Sequence, residues 1–260
     1  MLIMDKTAVV AGCGEIGKPI FQMCRGAYRQ VIAEDPAAGK PESPMYPVDA
    51  LHIAIPGSMP NFVKIVSDYF ARYKPQIMLI HSSTAPGLSD EIVKAVGEDA
   101  VVHTQVHGKH HGNRMHRDML RYPKFVATRS DAAYEKAKAA LEAIGHPGDN
   151  IIRLSSPLAG ELVKLLATSF FGYLIAWVQE VERLSEMSGI SYEELMSFTK
   201  LQTDDFRIEN KFPGVIGGHC VLPNIAILQK SFPLKVWDFI QDSNTRKANG
   251  SGENTRSKKG

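Results

Sequence analysis

Cysteine is scarce in this chain. Its 260 residues hold 3, at Cys13, Cys24 and Cys220, with no C-x-x-C pair among them. That excludes a disulfide framework and fits a reducing, cytoplasmic setting. An excess of charge of one sign is lacking too. Lys and Arg number 30 against 28 Asp and Glu, and a net charge of +2 is too mild to argue for nucleic acid or an anionic membrane as a partner. The opening "MLIMDKTAVVAG" has a short apolar run with no basic region before it and no cleavage site, so no signal peptide is read. A long apolar run is also missing. "LLATSFFGYLIAWV", residues 165–178, is bracketed by Lys164 and Glu180 and is too short to cross a bilayer. It reads instead as a helix buried on all sides, in part against a second subunit. There is no internal repeat.

What is present describes a globular chain. Hydrophobic residues make up 44% and charged residues 22%, enough for a core, and the length suggests about two domains. Short β-branched runs alternate with amphipathic stretches. "KTAVVAG", "QVIAED", "ALHIAIPG", "QIMLIHSST", "AVVHTQV", "KFVATRS" and "NIIRL" read as strands. Helices fall between them at "EIGKPIFQMCRGAY", "NFVKIVSDYFARYK", "SDEIVKAVG" and "DAAYEKAKAALEAIG", the last capped by Asp131 and ended by Gly145. A proline-rich connection follows the second strand, and a His-rich loop follows the fifth. Pro157 then opens a helix that meets no breaker before Gly189, a rod of roughly 48 Å. "SYEE", Ser191–Glu194, is a capping box for another helix, residues 201–220 read as irregular, and "VWDFIQDSNTRK" is a last helix.

One loop gives the first half its chemistry. "AVVAGCGEIGKP" carries G-x-G-x-x-G as Gly12, Gly14 and Gly17, after a strand and opening a helix. Gly12 makes the turn, Gly14 lets a pyrophosphate approach the backbone, and Gly17 lets helix pack on strand, with Glu15 and Ile16 completing the loop. The helix N-terminus offers free N–H groups to phosphate. About twenty residues on, Asp35 ends the second strand, where a carboxylate takes ribose hydroxyls and repels a 2′-phosphate, so NAD is the expected cofactor. The fold class expected is α/β: a Rossmann-type doubly wound parallel sheet over residues 1–155, then a mainly helical substrate and dimerisation domain with one long central helix over 156–248. The tail, 249–260, has no apolar anchor and reads as flexible.

On the long helix Glu161, Lys164 and Thr168 share one face by their i, i+3, i+7 spacing. A lysine on an apolar rod either snorkels to water or serves a cleft. Further on, "FPGVIGGHCVLPN" places Cys220 behind two glycines and a histidine. Such a thiol is either a nucleophile or a small buried side chain.

Four stretches in order resemble the UDP-glucose/GDP-mannose dehydrogenases: the Gly12 loop, "SSTAPG" (Ser82–Gly87), "GELVKLLATSFF" (Gly160–Phe171) and "PGVIGGHCVLPN" (Pro213–Asn224). The resemblance implies oxidation of a sugar alcohol to an acid in two NAD-dependent steps. In that chemistry a cysteine, matched here by Cys220, forms a thiohemiacetal with the aldehyde, gives up hydride to become a thioester, and is released by water. Lys164 matches the family's active-site lysine and Thr84 the threonine near the nicotinamide. Gly217, Gly218 and His219 flank the thiol and are expected at the substrate. The resemblance also implies a homodimer paired through the long helix.

The chain departs from that pattern at several points. Thr168 stands where the family has asparagine, and Asn224 where it has an aspartate that helps activate the oxidation and the hydrolytic water. A neutral amide cannot accept a proton as a base. "SSTAPG" is one residue tighter than usual, and a further C-terminal domain that supplies much of the nucleotide pocket has no counterpart. Five of the 9 histidines lie in "HTQVHGKHHGNRMH", where His107 and His111 replace two family glutamates. With Lys109, Arg114 and Arg117 they suit an anionic substrate; a solvated loop with no function is a competing reading, and no ligand spacing in the stretch indicates a metal.

Three functions are therefore weighed. The first is an NAD-dependent oxidoreductase of a small, sugar-like or nucleotide-sugar alcohol using Cys220, Lys164, Thr84, Thr168 and Asn224. The second is a two-electron dehydrogenase of the hydroxy-acid type, which shares the glycine loop and the G-x-x-x-K helix, Gly160–Lys164, without the cysteine. The third is a degenerate NAD-binding regulatory or interaction protein.

Overall fold

The computed structural model describes residues 3–108, 114–197, 212–218 and 220–256. His111 and His219 lie outside the described residues. The chain forms two compact units, Met1–Lys164 and Leu165–Gly260.

The first unit is a seven-stranded sheet in the order β2-β1-β3-β4-β5-β6-β7. Its strands are β1 Met4–Ala11, β2 Tyr28–Glu34, β3 Val48–Ile53, β4 Ile77–Ile80, β5 Val101–His103, β6 Lys124–Ala127 and β7 Ile151–Leu154. All neighbours are parallel except β5 and β6, which meet antiparallel at His103 and Ala127. Each corresponds to one of the β-branched runs in the sequence. β3, β4 and β5 are buried at every position, which is why they read as continuous apolar runs and not as alternating ones.

Helices cover both faces. On one, α1 (Gly17–Arg25), α4 (Arg114–Arg121) and α5 (Asp131–Ala143) pack Ile20, Met115, Met119, Ala137 and Leu141 over Ala8, Val10, Leu79 and Val126. On the other, α2 (Phe62–Tyr73) and α3 (Leu88–Val96) pack Phe62, Val66 and Ile92 over Val9, Leu51, Ile53 and Met78. Cys24 lies in the first layer, and burial pushes its thiol up to about 12, which makes it inert core filling.

Three local expectations are corrected. The cap of α5 is Ser130, whose hydroxyl accepts from the Ala133 N–H at 3.0 Å, and not Asp131. The His-rich stretch is not one loop. His103 is a core residue of β5, His107 is half-buried, and His116 is exposed on α4. The residues after Cys220, for which no element was expected, form a helix.

In the second unit, α6 (Pro157–Ser188), which begins in the first unit, is followed by α7 (Tyr192–Leu195), α8 (Val221–Ser231) and α9 (Lys235–Arg256). Ser191 caps α7 as the capping box requires, accepting from the Glu194 N–H. The last helix begins near the expected place and takes in residues 249–256 of the expected tail. By length and composition α6 is apolar enough to cross a membrane. Its polar groups nonetheless have partners inside the unit. Gln179 and Ala176 receive Ser243 of α9, and Gly172 lies so close to α8 that an added Cβ would stand 2.8 Å from Val221 and 3.1 Å from Ile225. Within the chain only 33% of the most apolar window of α6 is buried, and Leu166 and Phe170 are exposed, so it is not buried on all sides as the sequence suggested.

The sheet buries four histidines, His52, His81, His103 and His146. Burial holds His52 and His146 down to about 3 and His103 to about 4. These folded values lie below the ~6.5 of a free imidazole, so the unfolded chain binds more protons and stability falls as pH drops below that point. The urea midpoint is expected to fall steadily between about pH 7 and pH 5, above the range in which carboxylates titrate. A constant midpoint over that interval would contradict the burial of neutral imidazoles.

Candidate active site

The carboxyl ends of β1–β5 gather the sequence-predicted loops of the first unit along one edge. β1 lies between β2 and β3, so the connection leaving β1 runs one way, to β2, and the one leaving β3 runs the other way, to β4. Such a switch point leaves a crevice for a ligand. Gly12 stands there at φ +87°, and a Cβ on it would come within 2.9 Å of the Ala54 and Ile55 backbone. A Cβ on Gly17 would lie 1.6 Å from the Gly12 carbonyl oxygen. Gly14, between them, has nothing within 4 Å of its Cβ position. The loop is thus closed on the protein side and open where a ligand would come. No side chain caps the start of α1 at Ile16, where the Lys18 N–H turns back to the Gly14 carbonyl at 2.9 Å and Pro19 has no N–H to satisfy. Glu15 sits in the same turn.

Asp35 joins this loop to the end of β2. Its Oδ2 accepts from the Cys13 N–H at 2.6 Å and its Oδ1 from the Ala37 N–H at 2.9 Å. Those two donors, Cys13 foremost, hold its carboxyl below the usual range. Each oxygen keeps a lone pair for a further donor. Glu34, its neighbour, is structural, buried and bound to Arg72 and the Tyr73 hydroxyl. Residues that close the loop against backbone, leave one face open and end in a carboxylate fit a dinucleotide.

Glu161 is the residue whose role sequence reasoning missed. It is 1% exposed, and its Oε1 accepts from the Thr84 hydroxyl at 3.0 Å and the Ser89 N–H at 2.7 Å. Its Oε2 accepts from the Gly87 N–H at 2.7 Å. A carboxylate from α6 therefore caps α3 from outside, where no local cap is present. Thr84 is buried, with its hydroxyl committed to this tie. One turn on, Lys164 Nζ donates to the Val106 carbonyl at 2.7 Å. Gly160 lets the helix come this close, since a Cβ there would lie 2.5 Å from the Ala127 Cβ and 2.8 Å from His103 Nδ1. His107 follows, its pKa lowered by burial and then by Lys164 and Lys124. The signal for Glu161 was its place on the Lys164 face of an otherwise apolar helix.

In the second unit the "PGVIGG" turn is held from two sides. Gln179 donates to the Gly214 carbonyl at 2.8 Å, and the Asn244 side chain receives the Ile216 N–H at 2.6 Å. Gly218 then turns at φ +76°. Cys220 is partly exposed at the N-cap of α8, and Gly217 precedes it with open space at its Cβ position. Asn224, one turn into α8, donates to the Thr168 hydroxyl at 2.8 Å, and that hydroxyl donates to the Leu165 carbonyl. The two residues that depart from the resembled pattern are thus each other's partners. Among the described residues no group of three or more His, Cys, Asp and Glu side chains could hold a metal.

Neither a family model nor a curated protein sequence matches the chain. Solved structures do. The UDP-N-acetyl-mannosamine dehydrogenase of Staphylococcus aureus aligns with 96% of this chain and 70% of its own at 16% identity and a TM-score of 0.74. The UDP-D-ManNAc dehydrogenase of Pyrococcus horikoshii aligns with 95% and 70% at 16% identity and 0.75. The 3-hydroxyisobutyrate dehydrogenase of Mycobacterium tuberculosis aligns with 96% and 94% at 12% identity and 0.63. The likeness is one of fold. The chain has the Rossmann-type sheet and the long helix of these dehydrogenases.

Glu161→Ala leaves a hydroxyl and two N–H groups without their acceptor, at about 1–3 kcal/mol for each group that water does not reach. Urea unfolding should show a loss on the order of 3 kcal/mol, and Glu161→Gln, which keeps an acceptor oxygen, should lose less. A Glu161→Ala variant as stable as wild type would refute the tie.

Proposed function

We propose that the chain is an NAD-dependent oxidoreductase acting on the CH–OH group of a small or sugar-like alcohol that carries negative charge. The observation that carries this reading is the Gly12–Gly17 loop at the switch point, with Asp35 fastened to the Cys13 N–H. Gly14 and the start of α1 would hold the pyrophosphate, and Asp35 the ribose hydroxyls. NAD, when bound, supplies a hydride acceptor. Lys164 offers its ammonium to the substrate oxygen, where negative charge develops as the hydroxyl proton leaves. Thr84 acts through Glu161 by shaping the loop between β4 and α3. His107, in the field of two lysines, supports an anionic substrate, as does the basic composition around His111.

The pairing of Asn224 with Thr168 favours an oxidation that stops after two electrons. The amide stands where the resemblance puts a carboxylate, and it is spent on a hydroxyl, so it offers no base to a hydrolytic water. A second reading rests on the "GGHC" turn, in which Cys220, flanked by Gly217, Gly218 and His219, carries the aldehyde on to the acid through a thioester. Pairing of two copies through α6 belongs to the proposal as well. Phe170 is 57% exposed and Met187 85%, more apolar surface than a lone helix leaves to water without purpose.

Incubation with NAD and a panel of phosphorylated, acidic and nucleotide-linked alcohols, counting NADH per substrate consumed, decides among these. One NADH, unchanged in Cys220→Ser, is expected. Two NADH, falling away in Cys220→Ser, would establish the thioester route instead. Saturable NAD binding without NADH from any alcohol would overturn the enzymatic reading in favour of an NAD-binding regulator. Light scattering at micromolar concentration should give twice the chain's mass, and a monomer would remove the helix pairing.

A further inference from the structure

The first unit buries a charge that the reading above does not use. Lys124 opens β6, on the same face of the strand as Val126, and is only 5% exposed. Its Nζ donates to the carbonyls of Thr104 and Gln105, both at 2.9 Å, and stands 3.4 Å from His81 Nδ1. None of these partners is a carboxylate. His81 Nε2 lies 2.9 Å from His52 Nδ1, with the two rings stacked at 5.2 Å. The next carbonyl along the chain, that of Val106, receives Lys164 at 2.7 Å. Three consecutive carbonyls are thus held by two lysines, one from β6 and one from α6.

We propose that Lys124 is a positioning residue for Lys164: it fixes the Thr104–Val106 backbone, and its protonation state sets how firmly that segment seats the second ammonium. The donor inventory gives the reason. An ammonium has three N–H groups, enough for both carbonyls and the His81 Nδ1 lone pair. His81 then donates from Nε2 to His52. A neutral amine has two N–H groups and a lone pair, so it must accept from His81 Nδ1–H, and the donors along His81 and His52 reverse. Both states keep the chain bonded. The amine, however, holds the carbonyls without charge assistance, and charged donors bind about twice as strongly.

The groups around Lys124 place this change near neutrality. Burial, and then the charge of Lys164, bring its pKa down to about 7. The imidazoles facing it are His81 after β4, His52 on β3, His103 and His107 at β5, and His146 before β7. All five are held below the usual range, by burial first. Asp118 of α4 is buried as well.

The test uses NMR of lysine labelled with 13C at Cε, with Lys124 and Lys164 assigned by Lys124→Met and Lys164→Met, from about pH 5.5 to about 9.5. No cofactor or substrate is added, so the outcome is independent of whether the chain oxidises an alcohol; that reading supplies only the reason Lys164 matters. The Lys164 signal should show an inflection near pH 7 that follows Lys124 and is lost in Lys124→Met. It should also be lost in Lys124→Arg, which stays charged throughout, and this variant with wild type decides the matter if Lys124→Met does not fold. The 15N shifts of His81 should reverse tautomer over the same range in wild type alone. A wild-type Lys164 signal without that inflection, or the same inflection in either variant, would overturn the proposal.

Discussion

The candidate site of the first unit depends on close approaches at glycines that leave no room for a side chain. Gly12 against Ala54, Gly17 against the Gly12 carbonyl and Gly160 against Ala127 and His103 all leave less room than a methyl group needs. The first two contacts set the open turn at the switch point. The third brings α6 down onto the ends of β5 and β6, and only then can Glu161 reach the Thr84–Ser89 loop and Lys164 the Val106 carbonyl. Interiors are packed too densely for such crossings to relax around an added carbon.

Charged side chains behind this edge each take up buried polar groups. One carboxylate serves three donors at Glu161, and two lysines serve three successive carbonyls between β5 and α4. A buried charge without partners costs several kcal/mol, whereas one that organises a loop exchanges that cost for a fixed geometry. The histidines follow the same logic. In the core they stay neutral and act as hydrogen-bonding spacers, while His107 at the edge lies in the field of both lysines.

Much of the fold was legible because buried parallel strands are short apolar runs and α6 is a long run with no breaker. Pro157 and Gly189 mark its ends in the sequence, and the structure places the helix at Pro157–Ser188. The glycine loop and Asp35 were legible because their spacing carries a mechanical meaning. Helix α4 was not, since its apolar residues are two methionines and a leucine among charges, and its histidine-rich approach dominates the composition. Helix α8 carries Pro223 and begins at a cysteine with no capping side chain, so it offers no start signal. Glu161, Lys124 and the Thr168–Asn224 pair were illegible for a different reason. Each acts on groups 19 to 77 residues away, and no single-sequence pattern reports such distances.

The account rests on the switch-point edge being a dinucleotide site in which Asp35 meets the ribose. Calorimetric titration of NAD and of NADP into the wild-type protein and Asp35→Asn tests this most directly. Wild type should bind NAD at least about tenfold more tightly than NADP, a difference of about 1.4 kcal/mol, and the variant should narrow that preference. Binding of neither dinucleotide, or equal affinity for both in wild type, would contradict it.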